Sequence, residues 1–178
     1  CYNEEESLPL FYKEINKVIS KMKETSFEII FIDDGSRDNS LDIIKELSKS
    51  DKDIRYISFS RNFGKEAAIY AGLEYCTGDY ITLLDVDLQD PPKLIEKMYK
   101  IITTEDVDIV ALKTDVHKEY GIVRRFFTNC YYKLISKLSK VEMVPGARDF
   151  RLMKRQVVNA VLELKEYNRY SKGIFSFV

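Results

Sequence analysis

Three aspartates, Asp85, Asp87 and Asp90, crowd the stretch Leu83 to Pro92, directly after an apolar run. Like charges this close repel one another unless a cation or a positively charged partner offsets them. A second acidic cluster, Asp33-Asp34-Gly35-Ser36, closes the apolar run Phe27 to Ile32. An Asp-x-Asp pair supplies hard oxygen ligands for Mg²⁺ or Mn²⁺, and such a cation can bridge the oxygens of a diphosphate. The chain contains no Gly-x-Gly and no G-x-x-x-x-G-K-[ST] loop, so the two common glycine-rich phosphate cradles are excluded. One histidine, His117, is too few for a multi-histidine zinc site. A diphosphate held with a divalent cation is the consistent ligand. For Asp33 to Ser36 alone, a plain turn with helix capping accounts equally well; for Asp85-Val86-Asp87 it accounts less well, because a turn needs only one aspartate.

These residues need elements that bring them together. Ser7 to Lys23 carries apolar residues at helical spacing, and Phe27 to Ile32 reads as a strand. Asp38-Asn39-Ser40 offers caps for a helix through Leu47. Ile54 to Phe59 reads as a strand, Lys65 to Tyr75 as a helix and Tyr80 to Leu84 as a strand. Pro91 and Pro92 are expected to open a helix to Ile102, where proline suits the first turn. Val107 to Leu112 is a further strand. Strands alternating with helices imply an α/β domain with a mostly parallel sheet covered on both faces. Ligands of such sheets bind beyond the carboxyl ends of the strands, where both acidic clusters fall. After Thr114 the pattern turns irregular, with a brief alternation over Arg148 to Met153 and a helical stretch over Gln156 to Leu164.

The chain of 178 residues is the size of one domain. Lysine and arginine (28) nearly balance aspartate and glutamate (29), so no global field favours nucleic acid. Three widely spaced cysteines form neither a disulfide framework nor a zinc pattern and suit a reducing, cytosolic environment. Cys76 and Cys130 read as packing residues and His117 as a loop residue. No run reaches the ~18 apolar residues of a membrane span. The start at Cys1 and the stop after Phe175-Ser176-Phe177-Val178 both read as cut edges, with membrane helices expected beyond Val178.

Five motifs in order carry a resemblance: Tyr2-Asn3-Glu4, Asp33-Asp34-Gly35-Ser36, Arg61-Asn62-Phe63-Gly64-Lys65, Gly78-Asp79-Tyr80 and Asp85-Val86-Asp87-Leu88-Gln89-Asp90-Pro91-Pro92. They resemble the inverting family 2 glycosyltransferases of the GT-A fold, over essentially the whole chain. Within that family the chain is most similar to the polyprenyl-phosphate glycosyltransferases, through Asp149-Phe150-Arg151-Leu152-Met153 and Arg169-Tyr170-Ser171-Lys172-Gly173 as well. The resemblance implies a single catalytic domain, with residues 1–114 binding the nucleotide sugar and residues 115–178 on the acceptor side. It implies transfer of a hexose from a nucleotide sugar, a UDP-sugar by the bacterial members, to a polyprenyl phosphate at the cytosolic face of the membrane. Self-association into a homo-oligomer is left open.

The residue roles follow from the same resemblance. Tyr2 and Glu4 match nucleotide contacts at the base and ribose, and Asp34 matches the carboxylate that accepts from the base, while Asp33 orders the turn. Asp85 matches a residue near the sugar and ribose. Asp87 matches the ligand of a Mg²⁺ or Mn²⁺ ion, with Gln89 as a further ligand. Asp149 matches an acidic residue important for activity, as base, positioning group or metal contact. Arg124, Arg125, Arg151 and Arg169 are candidates for the acceptor phosphate, since guanidinium forks fit phosphate oxygens. Phe126, Phe127, Tyr131, Tyr132, Leu134 and Ile135 form either a membrane-facing surface or a helix packed on its own core.

Three other readings compete. Haloacid-dehalogenase-like phosphatases also place Asp-x-Asp after a strand, but with Thr or Val where Gln89 stands and nearer the start of the domain. A nucleotide-sugar-binding module without catalysis would have no need of Asp85, Asp87 and Asp149 together. Transfer to a sugar hydroxyl in polysaccharide assembly stays within the family, although the Q-x-x-R-W motif of processive polymerases is absent.

Overall fold

The computed structural model describes residues 1–113, 147–164 and 173–175. Arg124, Arg125, Arg169, His117, Cys130 and the aromatic residues from Phe126 to Tyr132 lie outside the described residues. Helix α1 (Ser7–Ile19) is followed by β1 (Ile29–Asp33), α2 (Ser40–Ser50), β2 (Ile54–Ser58), α3 (Lys65–Tyr75), β3 (Tyr80–Leu83), α4 (Leu94–Thr104) and β4 (Ile109–Lys113). Strand β5 (Ala147–Lys154) and helix α5 (Arg155–Glu163) complete the order. The alternation read from the sequence is therefore present, and α3 has the expected bounds.

Two ends differ from expectation for local reasons. Helix α1 stops at Ile19, where the Ser20 amide donates to Asn16 and a turn through Thr25 follows. Pro91 and Pro92 precede α4 rather than open it: their carbonyls accept from the amides of Leu94 and Ile95, a turn that leads into the helix.

Strands β1 and β2 pair in parallel, Ile29 with Ile54 through Asp33 with Ser58. Strands β3 and β4 run in the same direction as each other but do not touch; β5 lies between them, antiparallel to both. The antiparallel member thus comes from the irregular C-terminal third, inserted between two strands that share a direction, while β1 and β2 form a separate parallel pair. Its residues alternate by the strand period of two. Phe150 and Leu152 enter the larger core with Phe11, Phe31, Ile44 and Met98, while Met153 enters a second core with Leu73, Val158 and Phe175. Burying whole apolar side chains in this way contributes about 1.5–3 kcal/mol each. Phe175, expected to begin a run toward a membrane, is 7% exposed and packs in this second core. Among the described residues no helix is long and apolar enough to cross a membrane.

Candidate active site

Both acidic clusters sit where their strands end, and each aspartate has a distinct partner. Asp33, 1% exposed, accepts from the Ser36 amide at 3.2 Å and from the Ser58 hydroxyl at 3.1 Å, so it orders the turn as expected. Asp34 accepts from the amides of Phe63 (2.7 Å) and Gly64 (2.9 Å), one on each carboxylate oxygen. Gly35 between them adopts φ +70°, and a Cβ there would stand 2.4 Å from the Arg61 carbonyl carbon. Only glycine fits such a close approach in the left-handed region. Asp34 and Gly35 together clamp the Arg61-to-Gly64 loop against the end of β1.

The amino-terminal segment is laced onto the same turn. The Asn3 amide donates to Ser36 Oγ (3.0 Å), Glu4 to Ser40 Oγ (2.7 Å) and Glu5 to Asp38 Oδ2 (3.1 Å). Burial works against the Asp38 charge, but its hydrogen bonds from Ser40 and Glu5 outweigh it and hold that carboxyl below the usual range. The Glu5 carboxylate in turn accepts from Asn39, at the start of α2. Tyr2 and Glu4 are thereby held at the rim of a cleft of about 890 Å³ that Asp34, Asp85, Asp87 and Asp149 also line.

The pairing of β3 with β5 explains how Asp149 arrives there. It runs from Tyr80 opposite Lys154 to Leu83 opposite Arg151. Carried on past its last pair, that register sets Asp85 across from Asp149. Facing carboxylates are destabilising without a counter-charge. Lys65, the first residue of α3, supplies it: Nζ donates to Asp85 Oδ2 at 2.7 Å and lies 2.8 Å from Asp149 Oδ2. Burial alone would lower the Lys65 pKa, but the bonds to Asp149 and Asp85 outweigh it and raise the ammonium above its ordinary value.

The third aspartate, Asp90, pairs with Arg148 of β5, which also reaches the Gln89 carbonyl at 3.4 Å. Asp87 is exposed, with Oδ1 accepting from the Gln89 amide at 3.1 Å. Leu88 between them turns the chain at φ +59°. Among the described residues no three His, Cys, Asp or Glu side chains are gathered to cage a metal ion. Asp87 lines the cleft with Asp85 beside it, and one or two such carboxylates would suit a hard cation such as Mg²⁺ or Mn²⁺.

Arg151, expected at the acceptor phosphate, is placed elsewhere. It is 5% exposed, does not line the cleft, and its guanidinium lies 4.1 Å from the centre of the Phe175 ring. Its Nε donates to the Asp149 carbonyl (3.3 Å) and its Nη2 to the Arg148 carbonyl (3.0 Å). Alternation along β5 turns it inward with Met153, so it braces the Asp149 backbone from behind. Lys65 is the residue that the reading of the carboxylates missed. A cation at the first position of a helix opposes the helix dipole, and that was the available signal.

A family model described as glycosyl transferase family 2 matches residues 1–162. The chain is 41% identical over 181 residues to the bactoprenol glucosyl transferase of Shigella phage SfX, covering 99% of this chain and 57% of that protein. It is also 41% identical over 181 residues to the prophage bactoprenol glucosyl transferase homolog of Escherichia coli strain K12, with the same shares covered. The chain spans about half the length of the curated relatives it matches. Among solved structures it is similar to a mannosyltransferase from Pyrobaculum calidifontis in complex with GDP-Man and Mn²⁺. That match has TM-score 0.56 and 17% identity, and it covers 89% of this chain and 44% of the other. It is likewise similar to glucosyl-3-phosphoglycerate synthase from Mycobacterium tuberculosis in complex with UDP, with TM-score 0.57 and 19% identity, covering 90% and 56%. At these identities the likeness establishes the fold, which is GT-A.

Proposed function

The chain belongs to glycosyl transferase family 2, and on that premise we propose that it moves a hexose from a UDP-sugar to a polyprenyl phosphate at the cytosolic face of a membrane. The observation that carries the proposal is the convergence of Asp34, Asp85, Asp87 and Asp149 on one cleft at the strand ends. The relatives named bactoprenol glucosyl transferase support the acceptor class.

In this reading Tyr2 and Glu4 bind the base and ribose. Asp34 keeps the Arg61-to-Gly64 loop closed around the nucleotide and offers its remaining lone pairs to the base. Asp85 faces the sugar. Asp87, with Gln89, would hold a Mg²⁺ or Mn²⁺ ion, which when bound neutralises the departing diphosphate as a Lewis acid. An oxygen of the lipid phosphate forms the new bond to the anomeric carbon as the bond to the donor β-phosphate breaks, and the electron pair leaves on UDP. The attack from the opposite face inverts the centre. A phosphate arrives already ionised, so no proton need be removed and Asp149 acts by position rather than as a base. Arg124, Arg125 and Arg169 are proposed to grip the acceptor phosphate. Arg151 supports Asp149 instead.

The test is a donor panel of UDP-glucose, UDP-GlcNAc, UDP-galactose and GDP-mannose, titrated by calorimetry with and without Mn²⁺. One or more UDP-sugars should bind more tightly than GDP-mannose. Tighter binding of GDP-mannose than of every UDP-sugar would overturn the uridine assignment.

A further inference from the structure

Eight acidic side chains line the cleft, Asp34, Asp85, Asp87 and Asp149 among them, and Lys65 is the one lysine or arginine among its described lining residues. That cation ties together two carboxylates on neighbouring elements, whose backbones the β3–β5 pairing already aligns. Asp85 belongs to the donor side, just past β3, whereas Asp149 sits on β5. The register of those strands faces the carboxylates toward each other, and in the absence of an ammonium the two side chains would turn apart.

Both ends of the contact are rigidly mounted. The loop before Lys65 is fixed by the Asp34 bonds to Phe63 and Gly64 and by the seat of Gly35 against Arg61. The Asp149 backbone is fixed by Arg151, itself packed over Phe175. The ammonium stands at the first position of α3, where the helix dipole disfavours a cation, and its two carboxylate partners offset that cost.

We infer that Lys65 is a positioning residue for transfer, acting through Asp149 to hold the acceptor side of the cleft in place against the donor side. The inference rests on the proposed glycosyl transfer. Misplacing a reacting partner by about 1 Å can cost on the order of a hundredfold in rate. Lys65→Met should therefore lower kcat by about that factor, with the donor KM and the UDP affinity changed by less than about threefold.

The decisive experiment is a double-mutant cycle in the full-length protein, with Lys65→Met, Asp149→Asn and both together. Two residues that work as a unit give strongly non-additive losses. The double variant should be no slower than Asp149→Asn alone, and Lys65→Arg should recover at least about a tenth of the lost turnover. Losses that multiply would overturn the inference, as would Lys65→Met turning over at the unmutated rate. The same cycle read by urea unfolding reports the bond without turnover, so absence of transfer by the unmutated protein would count against the proposed function only. Additive unfolding energies would then overturn the Lys65 inference by themselves. Lys65→Gln replaces the methionine arm if that variant fails to fold.

Discussion

Asp34 and Gly64 are joined by a 2.9 Å hydrogen bond from the glycine amide, and the second Asp34 oxygen takes the neighbouring Phe63 amide at 2.7 Å. The carboxylate therefore builds the loop in front of α3 before any nucleotide arrives. Its negative charge there also suits the positive end of the α3 dipole.

Asp34→Asn should consequently cost stability as well as affinity. An asparagine side chain offers one oxygen and turns its NH₂ toward the other amide, donor against donor. Leaving one backbone amide without an acceptor costs about 1–3 kcal/mol. Urea unfolding should show that loss, and a UDP titration should show weakened binding alongside it. Weakened binding with unchanged stability would mean that Asp34 serves the base alone.

Much of this was legible from the chain itself, because local pattern carries it. The alternation of Ser7 to Val107 into helices and strands follows from apolar spacing and turn residues, and Asp33, Asp34, Asp85 and Asp87 lie in turns that directly follow apolar runs. The position of β5 was not legible. Its pairing with β3 and β4 is decided by side chains distant in sequence, chiefly Phe150, Leu152 and Met153 entering two different cores. The inward placement of Arg151, a candidate for the acceptor phosphate, has a related cause: the strand period turns it toward the second core, where Phe175 and two carbonyls receive it. In the sequence Lys65 stands only as part of a motif, since its partners Asp85 and Asp149 come from distant parts of the chain.

Glu28 links the two sheets and should give the protein an acid-sensitive joint. It precedes β1, accepts from the Thr77 hydroxyl (2.9 Å) and the Gly78 amide (3.0 Å), and pairs with Arg55 (3.1 Å). Burial would raise its pKa, but these bonds outweigh it and hold the carboxyl below the usual range. With the folded value depressed, its stabilisation is fully present above the unfolded pKa near ~4.3 and disappears as pH falls through the lower folded value. Glu28→Gln should be less stable than the unmutated protein at neutral pH and should lose less on acidification through that window. Parallel unfolding curves against pH for the two proteins would contradict this assignment.

Asp87 tests the cation. UDP binding to the unmutated protein should tighten when Mn²⁺ or Mg²⁺ is added, and Asp87→Ala should remove most of that dependence with the fold intact, since the side chain is exposed and its Oδ1 accepts only a turn amide. Calorimetric titrations with metal and with chelator give the comparison. Equal UDP affinity in the two conditions for the unmutated protein would count against Asp87 as a ligand.

The acceptor is the central claim, and one assay addresses it most directly. Full-length protein is incubated with a labelled UDP-sugar and, in separate reactions, a short-chain polyprenyl phosphate and a soluble sugar alcohol. Label should pass to the lipid phosphate with inversion at the anomeric carbon and should not appear on the soluble alcohol. Efficient transfer to the alcohol, with no product on any lipid phosphate, would contradict it and make Asp149 a base for a hydroxyl acceptor.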